Sequence, residues 1–271
     1  MGERSWSGIK LVVFDWTGTL IDHGSIAPVQ AMIATFAGAG IGVSAAQVRS
    51  SMGLSKREHI AAILRIPEVL RAFQSAHDRE PSADDLDRIY HTYVPAQLRA
   101  IGRFGDLIEG ATASAAFLRE RGIAIATMTG YFREAAACVL DCAAGQGFVP
   151  DFSVCSDDVA AGRPAPFMIY ACMQALNVFR AREVLVVGDT AADIVSAANG
   201  CCLSAGVAGT GNQVGLTQSA FVALPVRERN ALLAEAHRTL RDAGADFVID
   251  TLSELPLVIE RIAERAISSA A

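Results

Sequence analysis

The sequence predicts an α/β fold: a parallel-sheet core with an inserted all-helical cap. Three observations predict it. Short apolar runs alternate with helical patterns from about residue 103 onward, as in a parallel sheet covered by helices. An isolated apolar run, Leu11-Val12-Val13-Phe14, stands near the N-terminus. Between the two, residues 24–102 hold several helical patterns and no convincing strand. The expected organisation is a core in two parts, 1–23 and 103–271, interrupted by a cap at 24–102 over the sheet edge. An extra helical layer on one continuous domain is the other arrangement this pattern allows.

In chain order, the first run is a buried strand that ends at Asp15. Helical patterns follow at 28–39, 45–50, 56–64, 68–78 and 83–100. The core pattern resumes with a helix near 111–121, a strand at 123–127, a helix near 131–144 and a strand at 152–155. A helix near 165–177 leads to a strand at 184–187, which meets Gly188-Asp189-Thr190 and a helix at 191–199. A weaker fifth run closes on Val207. The tail adds a helix near 227–243, a short strand Phe247-Val248-Ile249 and a final helix near 254–266.

The 271 residues are 52% hydrophobic and 19% charged, with net charge -6, the balance of an ordinary soluble protein. That acidity gives no support to nucleic-acid or anionic-membrane binding. None of the apolar runs reaches bilayer-spanning length, and Asp15 interrupts the first too early for a signal segment. Met1-Gly2 is a possible start for myristoylation, but position 6 is Trp where Ser or Thr is needed. Cys138, Cys142, Cys155, Cys172, Cys201 and Cys202 form no CxxC pair, so reduced, mostly buried thiols in a cytoplasmic protein are expected. The run Gly206-Val207-Ala208-Gly209-Thr210-Gly211 has poor glycine spacing for a nucleotide loop.

The chemistry gathers at strand ends. Asp15, within Phe14-Asp15-Trp16-Thr17-Gly18-Thr19, can attack phosphorus and hold a divalent cation. Asp189 ends a second apolar strand, and Asp193 lies one helical turn later and can face the same space. Three converging carboxylates repel unless a cation lies between them, and oxygen ligands beside a phosphate favour Mg²⁺. Thr129 and neighbouring N–H groups could hold phosphate oxygens, with Arg163 as a cation for the same anion. Ser55-Lys56-Arg57-Glu58 fits a capping box, which puts Lys56 in the first turn of a helix. The positive helix end and partial burial would both lower its pKa from about 10.4 toward the neutral amine. Taken without further context, Lys56 reads as a solvated surface lysine and His59, three residues on, as incidental.

On these residues the chain resembles the haloacid dehalogenase superfamily, whose four signatures match the Asp15 motif, Thr129, Arg163 and Gly188-Asp189-Thr190-Ala191-Ala192-Asp193. More narrowly, it is similar to the phosphonatase branch over nearly its whole length. The segments that carry this are Ser51-Met52-Gly53-Leu54-Ser55-Lys56, Thr129-Gly130-Tyr131, Asp157-Asp158-Val159 and Gly162-Arg163-Pro164, with Lys56 and His59 specific to the branch. The resemblance implies a haloacid dehalogenase-like Rossmannoid core and hydrolysis of phosphonoacetaldehyde to acetaldehyde and phosphate, in 2-aminoethylphosphonate degradation. It implies a Schiff base on Lys56, phosphoryl transfer to Asp15, and His59 and Tyr131 near the substrate and its proton transfers. It also implies Mg²⁺ on Asp15, Asp189 and the Thr17 backbone carbonyl, with Asp193 in support, and a homodimer joined through the cap.

Thr17 sharpens this reading. Phosphatases and sugar-phosphate mutases of the superfamily generally carry aspartate there to protonate an alkoxide; a threonine hydroxyl has no comparable acidity. An enamine leaving group, stabilised by the iminium, needs no such acid. Phosphonatases most often have alanine at this position, and often cysteine where Ser25 stands, so Thr17 and Ser25 are departures. The competing functions are a Mg-dependent phosphatase of a small phosphate monoester and a non-catalytic small-anion-binding protein.

Overall fold

The structure, a computed structural model, describes residues 8–268, so the Met1-Gly2 start and Trp6 lie outside the described residues. Six strands form one parallel sheet: β1 (Leu11–Phe14), β2 (Ala124–Thr129), β3 (Phe152–Cys155), β4 (Val184–Gly188), β5 (Leu203–Val207) and β6 (Phe247–Ile249). Their spatial order is β3-β2-β1-β4-β5-β6. The chain winds outward from β1 through β2 to β3, then returns to the other side of β1 for β4 and winds outward again. Strand order therefore reverses between β1 and β4, the place where a parallel sheet opens a crevice at its carboxyl edge. The register pairs Phe14 with Thr127 on one side and Val187 on the other. Asp15, Thr129 and Asp189 consequently lie at or just past one edge.

Both faces of the sheet are buried, which explains why the strands read as continuous apolar runs. Along β1, Val12 and Phe14 pack into one core cluster while Leu11 and Val13 pack into the other. Strand β4 divides the same way, Leu185 and Val187 against Val184 and Val186.

Five helices follow β1: α1 (Ile26–Gly38), α2 (Ala45–Arg49), α3 (Lys56–Leu64), α4 (Pro67–His77) and α5 (Ala83–Phe104). Among the described residues no strand occurs between β1 and β2. The other helices are α6 (Ala111–Glu120), α7 (Arg133–Ala144), α8 (Phe167–Ala175), α9 (Ala191–Asn199), α10 (Gln218–Ala223), α11 (Val226–Asp242) and α12 (Leu255–Ser268). Among the described residues no helix is long and apolar enough to cross a membrane.

Several boundaries differ from the sequence expectation. Helix α5 continues past residue 100 to Phe104, because Ile101 stays on the buried face that holds Ile89, Tyr93 and Ala100. Burying that side chain, worth roughly 1.5–3 kcal/mol, exceeds the cost of Gly102, about 1 kcal/mol in a helix. Strand β2 runs on through Met128, so Thr129 is its last residue, and α7 starts at Arg133 with Phe132 as N-cap. Tyr131 thus sits in the turn between them. Helix α10 was not expected; Thr217 caps it by accepting the Ala220 N–H. Cysteine burial is less uniform than expected: Cys155, Cys172 and Cys202 are buried, Cys138 and Cys142 half-buried, and Cys201 exposed.

Candidate active site

Asp15 is fixed by the sheet itself, its N–H donating to the Val187 carbonyl at 2.8 Å. Asp189 follows β4, and its Oδ2 accepts the Asn212 N–H at 2.7 Å and the Ser25 hydroxyl at 3.2 Å. The loop after Asp15 can close on Asp189 only because residue 18 is glycine. Its φ is +80°, and a Cβ there would lie 2.2 Å from Asp189 Oδ2. Asp193 stands in the first turn of α9, where Oδ2 accepts the Thr190 N–H at 3.1 Å in a reciprocal capping box. Its Oδ1 pairs with Arg163 Nη1.

The three carboxylates are buried, and one oxygen of each lies within 4.8 Å of the others. Burial pushes the Asp189 carboxyl up, and the charge of Asp15 pushes the same way; the Asn212 N–H, Ser25 and Arg163 oppose both. This cluster is capable of holding a metal ion. Arg163 donates to Asp15 Oδ1 at 3.0 Å as well as to Asp193, while its buried Nε–H has no partner among the described residues. Within the site three carboxylates face two cations, Arg163 and Lys56. A dianion entering it would leave three negative charges uncompensated, so a divalent cation fits this donor set on electrostatic grounds.

Lys56 opens α3, and the reading of it as a solvated surface lysine fails: it is 5% exposed. Ser55 caps the helix, accepting the Glu58 N–H at 3.4 Å. The expected capping box forms only by half, because the Glu58 carboxylate accepts the Ser55 hydroxyl at 2.6 Å where the reciprocal bond needs the Ser55 N–H. Burial lowers the Lys56 ammonium to about 8, Arg163 adds to the effect, and Asp15 and Asp189 pull against it. His59 lies wholly buried on the same helix. Its Nε2 meets the Val48 carbonyl at 2.7 Å, which puts the proton there and leaves Nδ1 without a partner. Burial, then the charge of Lys56, lowers His59 to about 3, so it is a neutral imidazole at working pH.

The Lys56 Nζ lies 5.0 Å from the centroid of the Tyr131 ring. Burial holds the Tyr131 phenol well above its ordinary range, with Tyr93, Asp22 and Asp15 adding to the rise and a hydrogen bond from Thr17 opposing it. Thr129 accepts the Tyr131 N–H at 3.1 Å. Its hydroxyl proton remains for an anion. Asp15, Thr17, Met52, Lys56, Thr129, Tyr131 and Arg163 line one cavity of about 10 Å³, room for one water at most. A Cβ on Gly130 would lie 2.4 Å from the Leu54 carbonyl, so the segment before Lys56 rests directly on the turn after β2. A larger cavity of about 660 Å³, lined by Asp22, His23, Arg103 and Phe221 among others, lies apart and contains neither the lysine nor the aspartate cluster. Asp15, Lys56 and Arg163 adjoin the smaller space.

The structure therefore brings Asp15, Thr17, Lys56, Thr129, Tyr131 and Arg163 together around one cavity, with Asp189 and Asp193 against Asp15 and His59 on the Lys56 helix. Sequence reasoning missed Asn212, whose N–H holds Asp189, and Gln97, whose amide meets Tyr131. The glycine-rich run that ends at Gly211 was the available signal for Asn212: it marks a tight loop beyond β5. Gln97 carries no local signal at all.

A parallel sheet with an aspartate just past its first strand, a second aspartate just past β4 and helices inserted after the first strand defines a class. The chain belongs to the haloacid dehalogenase-like hydrolase family, whose model matches residues 9–200. It is 37% identical to the phosphonoacetaldehyde hydrolase of Paraburkholderia phytofirmans over 257 residues, 95% of this chain and 96% of that one. The phosphonoacetaldehyde hydrolase of Syntrophobacter fumaroxidans is also 37% identical, over 94% of this chain and 92% of its own. Among solved structures, a phosphonoacetaldehyde hydrolase-like protein from Oleispira antarctica superposes with a TM-score of 0.94 at 32% identity, covering 98% of this chain and 96% of that chain. A β-phosphoglucomutase from Clostridium difficile, at 17% identity and a TM-score of 0.70 over 96% of this chain and 99% of that one, shares the fold.

Proposed function

We propose that this enzyme hydrolyses the carbon–phosphorus bond of phosphonoacetaldehyde to acetaldehyde and phosphate. One observation carries the reading: a buried lysine with a lowered pKa shares a cavity with the strand-end aspartate, and threonine stands where a general acid would be. The phosphonoacetaldehyde hydrolases at 37% identity over nearly the whole chain support the same substrate.

In this reading the neutral amine of Lys56 attacks the aldehyde carbon, and loss of water forms the imine. At pH 7.5 a lysine titrating at about 8 is roughly one-quarter neutral, against about one in a thousand for an unperturbed one. Protonated, the imine accepts the electron pair of the carbon–phosphorus bond as Asp15 attacks phosphorus. The products are an enamine on Lys56 and an aspartyl phosphate on Asp15. Water hydrolyses the phosphate from Asp15, and the enamine takes a proton at carbon and is hydrolysed to acetaldehyde. Arg163 and Thr129 bind phosphoryl oxygens, and Tyr131 and His59, whose buried Nδ1 has no partner, serve the proton transfers around the imine. Mg²⁺, held by Asp15, Asp189 and the Thr17 carbonyl with Asp193 in support, would neutralise the phosphonate charge and polarise the phosphoryl group.

Residues 24–102 are the cap of this proposal, with 1–23 and 103–271 as the core. A cavity of about 10 Å³ cannot admit phosphonoacetaldehyde, so the cap must swing to load it. A cytoplasmic homodimer joined through the cap belongs to the same reading; sedimentation of the purified protein at twice the monomer mass is the expected result, and a monomer at micromolar concentration the contrary one.

The test is a product assay. With phosphonoacetaldehyde and Mg²⁺ the protein should release acetaldehyde and phosphate in equal amounts, and chelation by EDTA should stop both. Phosphate from monoesters alone would select the phosphatase, and no turnover of either class a binding protein. The pH dependence follows from Lys56: its neutral fraction rises with pH, so kcat/KM should climb from pH 6 to a plateau with a midpoint near about 8. A midpoint near about 10.5, the ordinary lysine value, would show that burial does not tune the amine.

A further inference from the structure

Helix α5 carries a polar pair on its inner face, two turns past the buried Asp85 of its first turn. Tyr93 and Gln97 stand one turn apart, both wholly buried, among Ile89, Ala100 and Ile101. The Tyr93 hydroxyl donates to Gln97 Oε1, and Gln97 Nε2 donates to the Tyr131 hydroxyl oxygen at 3.0 Å. Tyr131 in turn lines the cavity with Lys56 and Asp15. A polar chain thus runs from inside the helical segment to the wall of the reaction centre.

Packing alone does not call for an amide here, since a leucine would fill the space without a polar group to satisfy. Its donors and acceptors explain it better. Tyr93 has one proton to give, and giving it to Oε1 turns the Gln97 amide N–H groups toward Tyr131. Tyr131 then accepts with a lone pair and keeps its own O–H. That proton is free for the cavity side, where Lys56 Nζ lies 5.0 Å from the Tyr131 ring centroid. An amide turned the other way would draw the Tyr131 proton out of the site.

We propose that Gln97 is a positioning residue that aims the Tyr131 O–H into the cavity beside Lys56, where it serves the substrate's aldehyde oxygen. The inference rests on the lysine-imine reading above. As the bond from Lys56 Nζ to the aldehyde carbon forms, the carbonyl oxygen gains negative charge and takes one of the two Nζ protons, giving a carbinolamine. The carbon–oxygen bond then breaks, and the oxygen leaves as water with the second Nζ proton, which leaves the neutral imine. A fixed phenol donor stabilises that oxygen in both steps without losing its own proton.

The test compares Gln97→Leu, Tyr131→Phe and the double variant. Each is assayed for kcat and KM with phosphonoacetaldehyde, and for the rate at which acetaldehyde and borohydride together label Lys56. Gln97→Leu should lower kcat and the labelling rate about tenfold with KM changed less than about twofold, and the double variant should be no slower than Tyr131→Phe. If Gln97→Leu fails to fold with the Tyr93 hydroxyl stranded, Tyr93→Phe with Gln97→Leu removes the whole chain and takes its place. Wild-type kcat in the Gln97 variant, even with a lowered Tm, overturns the proposal; so do losses that multiply in the double variant. A wild-type protein that acetaldehyde never labels overturns the imine reading and this proposal with it. Wild-type labelling that Gln97→Leu leaves untouched overturns this proposal alone.

Discussion

Lys56→Ala should abolish phosphonoacetaldehyde turnover, with a loss of at least about 10³-fold, or about 4 kcal/mol of transition-state stabilisation. The magnitude follows from what the lysine supplies. Without an iminium the carbon–phosphorus bond would break to leave a carbanion with no electron sink, and no other side chain lining the cavity can form an imine. The fold should survive, because burial disfavours the Lys56 ammonium and removing it relieves a desolvation cost. Lys56→Arg is the informative companion. It preserves positive charge beside Asp15, yet a guanidinium stays protonated and forms no imine. Loss of turnover in both variants with near-wild-type Tm fits the covalent role. An active Lys56→Arg protein would reduce Lys56 to a binding charge.

Asp15→Asn should remove phosphate release to a comparable degree, about 10³-fold or more, because an amide cannot accept a phosphoryl group. The two variants should separate the reaction into halves. Asp15→Asn keeps Lys56 and its cavity, so borohydride should still trap substrate carbon on the lysine while no phosphate appears. Its stability should move the other way. Asp15 is one of three buried carboxylates within 4.8 Å, and its charge is the second cause that pushes Asp189 up. Removing that charge should raise Tm in metal-free buffer, and Mg²⁺ should stabilise the variant less than the wild type. Phosphate release at wild-type rate from Asp15→Asn would move the nucleophile elsewhere.

The parts of this site that could be read in advance were those with local signatures. A four-residue apolar strand that stops at an aspartate announces Asp15, and Val184-Leu185-Val186-Val187-Gly188 announces Asp189, because parallel strands buried on both faces leave no polar alternation to confuse. The helical insertion was readable for the same reason: its patterns lacked any such run. Read without the resemblance, Lys56 does not announce its burial. Its helix is only weakly amphipathic, and what covers the side chain is the turn after β2, which lies more than seventy residues away in the chain. Gln97 on α5 likewise looks like an ordinary polar helical residue until Tyr131 is brought to it from residue 131's turn. Ser25 is a departure whose part shows only in the fold, where its hydroxyl donates to Asp189. Thr17 gained neighbours in the same way, since it lines one cavity with Tyr131 and Lys56.

The claim on which all of this depends is a covalent bond between Lys56 and the substrate carbon. It is tested most directly by incubating the wild-type protein with phosphonoacetaldehyde, Mg²⁺ and borohydride, then locating the reduced adduct by peptide mass spectrometry. The account predicts inactivation only when substrate and borohydride are present together, with the two-carbon adduct on Lys56 and on no other lysine. Undiminished phosphate release with Lys56 unmodified would contradict it.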